Sequence, residues 1–242
     1  MHDFEVRGLW GAGSRLHRTV SLAGWARFGI GFQRQRKMET SDVFGLEIAG
    51  VSPMDKSEHR SYDYFWAEIA PCEHLVQIYE EEDVFLEPLE AFIIGGLTRG
   101  EGVVVIVTPQ HKLHIDTTLL LHGFDLEELS TSDQYICLDV EDALAKFMVN
   151  QWPDEQLFRD LVTDLLQRAH GADRRVRAFG EMVAVLWDQG LMGATVRLEH
   201  LWHQLCQEKN FSLFCAYPKS GFTDKPDNSL QEILNAHSTI LS

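Results

Sequence analysis

From His74 onward, hydrophobic residues fall alternately into short continuous runs and longer stretches of helical period. His74-Leu75-Val76-Gln77-Ile78-Tyr79 predicts a first strand. The acidic run Glu80-Glu81-Glu82-Asp83 then leads into a helix with Phe85, Leu89, Phe92, Ile93 and Leu97 on its apolar side. Gly100-Glu101-Gly102 turns the chain into Val103-Val104-Val105-Ile106-Val107, an unbroken β-branched run expected of a central parallel strand buried on both faces. A second helix opens at Pro109, shows Leu113, Leu120 and Leu121 as its apolar positions, and stops at Gly123. Tyr135 to Asp139 predicts the third strand. A short helix capped by Asp142 and running through Met148 follows, then a longer one from Glu155 to His170 with Leu157, Leu161, Leu165 and Leu166 on one face.

The stretch Arg174 to Gly190 reads as a strand, a tight turn at Gly180 and a helix beginning at Glu181. Leu198, Leu201, Trp202, Leu205 and Cys206 then recur at helical spacing, and Phe211 to Tyr217 forms the last strand before Pro218. Strands alternating with helices predict an α/β fold: three layers, doubly wound, with a mostly parallel sheet. Residues 1–60 show no sustained period and many glycines, and are expected to form an irregular basic extension. Residues 61–220 are expected to form the domain, and 221–242 a polar tail with a short helix near Gln231 to Leu234.

Four scattered cysteines, Cys72, Cys137, Cys206 and Cys215, show neither a CxxC pair nor zinc-like spacing, which fits a reduced, cytoplasmic setting. No apolar run is long enough for a membrane span. Charge is divided unevenly. Residues 1–37 hold seven basic and two acidic residues, net +5, so the remainder carries −21 of the total −16. An acidic body repels phosphate backbones, which argues against direct nucleic-acid binding by the folded part.

For a nucleotide, a doubly wound sheet needs a glycine-rich turn after its first strand, with a lysine for the phosphates. Glu80 to Asp83 stand there instead, so no P-loop is read and no cofactor is assigned. Asp139, at the end of an apolar strand, is a candidate magnesium-side acid or an ordinary helix cap. His111 with His114, and Glu199 with His200 and His203, lack HExxH order, and no metal site is assigned to them. Pairing Cys215 with His74 would require a tertiary coincidence, and no Gly-x-Ser-x-Gly elbow is present, so no catalytic residue is assigned. Tyr79, His111, Asp139, Phe179, Glu181 and Tyr217 would converge at the carboxyl edge of the sheet, with Trp187 and Trp202 on nearby helices. The ligand-binding set expected is Tyr79, His111, Arg177, Phe179, Glu181, Trp187 and Tyr217, with Arg177 free to hold a carboxylate or to pair with Glu181.

Several of these motifs, in this order, resemble the MEDS domain, a sensory domain of methanogens and methylotrophs. They are His74-x-x-x-x-Tyr79, Gly96-Leu97-x-x-Gly100-Glu101, Val176-Arg177-Ala178-Phe179-Gly180-Glu181-Met182 with Leu186-Trp187-x-x-Gly190, Leu198-Glu199-x-Leu201-Trp202, and Phe211-Ser212-Leu213-x-Cys215-Ala216-Tyr217-Pro218. The resemblance implies a fold similar to the RecA- and KaiC-like ATPases with a degraded phosphate loop. It also implies a non-enzymatic sensor of small molecules, hydrocarbon derivatives among them, that regulates other proteins. No helix-turn-helix or kinase motif is read on either side, so output is expected through a regulatory protein partner or self-association. The alternatives are an ATPase with an atypical phosphate site and a purely structural interaction module.

Overall fold

The computed structural model describes residues 3–8, 17–21, 69, 72–219, 233 and 235–241. In chain order its elements are β1 (Asp3–Gly8), β2 (His17–Ser21), β3 (His74–Tyr79), α1 (Glu82–Thr98), β4 (Gly102–Val107), α2 (Pro109–Leu121) and α3 (Leu126–Thr131). There follow β5 (Tyr135–Asp139), α4 (Val140–Phe147), the two-residue strands β6 (Met148–Val149) and β7 (Trp152–Pro153), α5 (Glu155–His170) and β8 (Val176–Gly180). The chain continues with α6 (Met182–Asp188), α7 (Met192–Lys209), β9 (Ser212–Pro218) and β10 (Thr239–Leu241).

One sheet runs in the order β2-β1-β10-β3-β9-β8-β4-β5. From β10 to β5 every neighbouring pair is parallel. β1 and β2 add an antiparallel pair on the β10 edge. The parallel part follows from the sequence pattern. Val103 to Val107 expose nothing to water, and each buried aliphatic side chain of this kind contributes about 1.5–3 kcal/mol. Alternation of side chains splits the core in two. Leu75, Val103, Val105, Phe179 and Phe214 pack under α1 to α3, whereas Val76, Val104, Ile106, Ala178 and Leu213 pack under α4 to α7. These are the three layers of a doubly wound α/β fold. Gly102 opens β4 against α5, where a Cβ would lie 2.2 Å from the Ala169 carbonyl oxygen. A side chain does not fit there.

Several expectations are corrected in detail. Leu113, Leu120 and Leu121 of α2 face solvent, and the buried line is His111, Ile115 and Leu119, an i, i+4, i+8 stripe that includes a polar residue. Leu157 is likewise exposed, with Phe158 and Val162 buried in its place. The cap of α4 is Asp139 rather than Asp142, its carboxylate accepting from the Glu141 and Asp142 amides at 2.9 and 3.1 Å. Within the stretches expected to be irregular or polar, β1, β2 and β10 form strands: β10 pairs with the edge of β3, β1 with β10, and β2 with β1. Of the other residues of those stretches only 233 and 235–238 are described, so the short helix expected at Gln231 to Leu234 lies largely outside the described residues.

Candidate functional site

Crossovers that run from β3 through β4 to β5 put their helices on one face, and those returning through β8 to β9 put theirs on the other, as right-handed connections require. At the carboxyl ends of adjacent β4 and β8 the chain therefore leaves toward opposite faces. That divergence is a topological switch point, where α/β sheets bind ligands. The side chain lying across it is Glu181. Its amide donates to the Ile106 carbonyl at 2.8 Å, and its Oε2 accepts from the Thr108 amide at 2.8 Å. Helix α6 starts at Met182, one residue later than expected, and Glu181 makes no side-chain cap bond to it. The carboxylate is turned away from its own helix toward the neighbouring strand.

His111, in the first turn of α2, is held between two carboxylates. Nε2 lies 2.8 Å from Glu82 Oε1, at the start of α1. Nδ1 lies 2.8 Å from Glu181 Oε1, an ion-pair contact not aligned as a hydrogen bond. Burial disfavours the imidazolium, but Glu181 and Glu82 outweigh it and raise the His111 pKa. Tyr79 stacks on Phe85 with ring centroids 4.8 Å apart, and Phe85 in turn meets His111 and Phe179. Burial, followed by the charges of Glu181 and Glu82, pushes the Tyr79 phenol up to about 12. Four of the seven expected residues, Tyr79, His111, Phe179 and Glu181, thus share one neighbourhood.

The other three lie elsewhere. Arg177 sits toward the amino end of β8, where Nε donates to Glu101 Oε2 at 2.6 Å and Nη1 to the Phe92 carbonyl at 2.8 Å, with the guanidinium over the Phe92 ring. Its carboxylate partner is Glu101, and the expected pairing with Glu181 is replaced by this one. Trp187 and Tyr217 pack edge to face in the core on the opposite side of the sheet. Asp139, the candidate magnesium acid, is engaged as the α4 cap. His114, to which with His111 no metal site was assigned, pairs with Glu90 at 2.6 Å, whereas His111 faces Glu82 and Glu181.

A second polar centre, which the sequence did not reveal, lies inside that opposite face. It joins His74 of β3, Cys215 and Tyr217 of β9, Glu199 and His203 of α7, and His237 just before β10. The side chains of His74, His237 and Glu199 are 0–1% exposed. His74 Nε2 lies 3.4 Å from Glu199 Oε2 and 3.4 Å from Cys215 Sγ. His237 Nε2 lies 3.5 Å from Glu199 Oε2, and Cys215 Sγ lies 3.9 Å from the same oxygen. Tyr217 donates its hydroxyl to Glu199 Oε1. Desolvation sets the ionisation here: it pushes the Glu199 carboxyl up to about 8 and lowers His237 to about 4, with His74 lowered and Cys215 raised in the same sense. The pairing of β3 with β9, Val76 opposite Cys215, joins His74 to Cys215 and Tyr217, helix α7 adds Glu199, and the pairing of β10 with β3 brings in His237. The repeated histidines were visible in the sequence, but no spacing rule connects them.

A cavity of about 400 Å³ opens at the amino end of β8, lined by residues including His170, Arg174, Arg175, Lys209 and Phe211. Arg174 is committed there to the Ala169 and Ser132 carbonyls, each at 2.8 Å, and no residue of either polar centre lines the cavity. Its polar lining serves the fold, and the switch point is the better candidate because its charged groups come from three elements.

Together these features define a three-layer parallel α/β domain with a charged network at its switch point and a polar cluster in its core. The family described as MEDS, MEthanogen/methylotroph, DcmR Sensory domain, matches residues 73–238, which include every element from β3 to α7 and β9. The chain belongs to this family. No curated protein matches it. No helix among the described residues is long and apolar enough to cross a membrane.

Proposed function

We propose that this MEDS chain is a non-enzymatic sensor that binds a small molecule at the switch point and changes its contact with a partner protein. Family membership supports the sensory role. The observation that carries the location is Glu181, which spans β8, the start of α2 and, through His111, the start of α1. A ligand that displaced one of these contacts would shift three elements at once. The ligand class follows from charge. With His111 protonated between Glu82 and Glu181 the network is net negative, and Arg177 is occupied by Glu101, so a neutral or cationic, partly apolar molecule fits better than a carboxylate. Tyr79, Phe85 and Phe179 supply the apolar side.

The RecA- and KaiC-like reading enters as a sheet whose phosphate turn has become Glu80 and Glu81, where a triphosphate would meet negative charge. The test is thermal unfolding of the chain against short-chain alcohols, amines, carboxylates, halogenated methanes and magnesium-ATP. A ligand present at ~100 times its dissociation constant stabilises by about 2.7 kcal/mol, which raises Tm by degrees. The expected result is a rise with an alcohol, amine or halogenated compound that is lost in Glu181→Gln. Stabilisation by magnesium-ATP alone, accompanied by hydrolysis, would replace the sensor reading with an ATPase.

A further inference from the structure

The core cluster on the α4 to α7 face leaves one fully buried ring nitrogen without a hydrogen-bond partner. His74 Nδ1 lies 3.2 Å from the Ala236 carbonyl, and His237 Nδ1 lies 2.6 Å from the Ile233 carbonyl. A carbonyl oxygen only accepts, so both Nδ1 atoms carry the proton, and both Nε2 atoms are bare lone pairs. Both lie within 3.5 Å of one atom, Glu199 Oε2. The Cys215 thiol can donate to His74 Nε2 at 3.4 Å, but no donor is aligned on the His237 ring. His237 Nε2 has no hydrogen-bond partner although its side chain is 0% exposed. An uncompensated buried acceptor of this kind costs about 1–3 kcal/mol.

The distances point the same way. At 3.4 and 3.5 Å the imidazole-to-carboxylate contacts are longer than charge-assisted hydrogen bonds, which cluster at about 2.7–2.9 Å. In a tetrahedral site, metal bonds of ~2.0–2.3 Å place ligand atoms roughly 3.3–3.8 Å apart; the contacts at 3.4, 3.4 and 3.5 Å fall in that range, and the Cys215–Glu199 contact at 3.9 Å lies just beyond it. One ligand atom from each of His74, Glu199, Cys215 and His237 lies within 4.8 Å of all the others. The carbonyl bonds at Nδ1 are the outer contacts that orient metal-binding imidazoles, and Tyr217 supports the carboxylate from its far side.

We infer that His74 Nε2, His237 Nε2, the Glu199 carboxylate and the Cys215 thiolate form a buried tetrahedral site for a divalent cation of the zinc class. Two nitrogens, one oxygen and one sulfur suit a borderline ion. One carboxylate and one thiolate cancel its two positive charges, so the buried site is neutral. On binding, the ion replaces the Cys215 thiol proton and the Glu199 carboxyl proton, and both leave to solvent. Four protein ligands close the coordination sphere, which marks the site as structural rather than catalytic. It clasps the segment ahead of β10 to the edge of the sheet, where His74 and Ser238 already exchange backbone and hydroxyl hydrogen bonds. This is independent of the ligand site proposed at the switch point.

The test uses the full chain, stripped with a chelator and reloaded with zinc or cobalt(II). The expected results are about one zinc per chain, and a cobalt spectrum with intense tetrahedral visible bands and a thiolate charge-transfer band. Cys215→Ser is expected to lose the charge-transfer band, while Cys206→Ser retains it. His237→Gln is expected to weaken zinc at least ~10-fold, the lower range for disturbing a metal's surroundings. If Cys215→Ser does not fold, His237→Gln decides alone. A folded chain that retains no zinc and gives no tetrahedral cobalt spectrum overturns the site. So does binding that is unchanged in both Cys215→Ser and His237→Gln.

Discussion

The two polar centres treat histidine in opposite ways. At the carboxyl edge, His111 lies between two carboxylates that come from different elements, and the charged ring is favoured. Inside the opposite face, His74 and His237 are fully buried, share one carboxyl group, and are held neutral. The difference is the ratio of negative charge to burial. Two carboxylates at 2.8 Å outweigh desolvation at His111, whereas one carboxyl group, itself driven toward neutrality, does not outweigh it for two deeper rings. The first centre is suited to answering a ligand, the second to holding an ion or the fold.

The comparison breaks most severely at Glu199. Glu199→Ala in the metal-free chain removes the acceptor of Tyr217 and leaves His74 and His237 facing a void. Denaturant unfolding is expected to show a loss of about 3–5 kcal/mol, since Tyr217 and His237 both lose the group they face, at about 1–3 kcal/mol for each buried polar group left unsatisfied. A loss below about 1 kcal/mol would mean the cluster is dispensable.

Acid should separate the two kinds of histidine. His237 takes no proton in either state above its ordinary value of 6.5. As the pH falls from 6.5 toward about 4, only the unfolded chain is protonated there, so stability is lost, by about 3 kcal/mol in total. His111 has the reverse sign: its raised pKa gives stability that is fully present below 6.5 and disappears as the pH rises through the folded value. In unfolding measurements the metal-stripped chain is expected to gain stability as pH rises from about 4 to 6.5, a slope that His237→Gln removes, and to lose stability above 6.5, a slope of opposite sign that His111→Gln removes. Equal slopes would remove the distinction.

Glu181→Ala should be milder. The Thr108 amide loses its acceptor, at a cost of about 1–3 kcal/mol, while the fold persists. NMR titration is expected to show the His111 pKa falling, and an unchanged value would mean Glu82 alone sets it. The smallest effect belongs to Asp139. As an α4 cap it should cost about 1 kcal/mol on change to Ala and almost nothing on change to Asn, since both Asp and Asn cap well. A magnesium role would instead make Asp139→Asn the damaging change, visible as lost response to magnesium-ATP.

Much of the fold was legible in the chain. The valine run of β4, the β3 segment from His74 to Tyr79 and the helical stripe Leu198 to Cys206 have local patterns that lead to their observed elements whatever surrounds them. The face of α2 was misread, because its leucines suggest a stripe while burial follows His111-Ile115-Leu119; in α5 Leu165 and Leu166 are buried as expected and only Leu157 gives way, to Phe158 and Val162. Side-chain hydrophobicity alone cannot show that a histidine is welcome inside when two carboxylates wait for it. At the site, the strand-to-helix junction marked Glu181 as important, but its partners Thr108 and His111 follow from the β4–β8 register.

By itself the sequence determined the alternation of strands and helices, the family, and the acidic turn where a phosphate loop would stand. Those are local properties, set by side-chain period and by residue type at a turn. Tertiary structure decided which residues meet. Parallel strands pair only through long crossovers, so β3 and β9 are neighbours across more than half the chain, and His74, Glu199, Cys215 and His237 are brought within 4.8 Å. Side chains alternate across a sheet, so Tyr79 and Tyr217, both near the same edge, end on opposite faces and serve different centres.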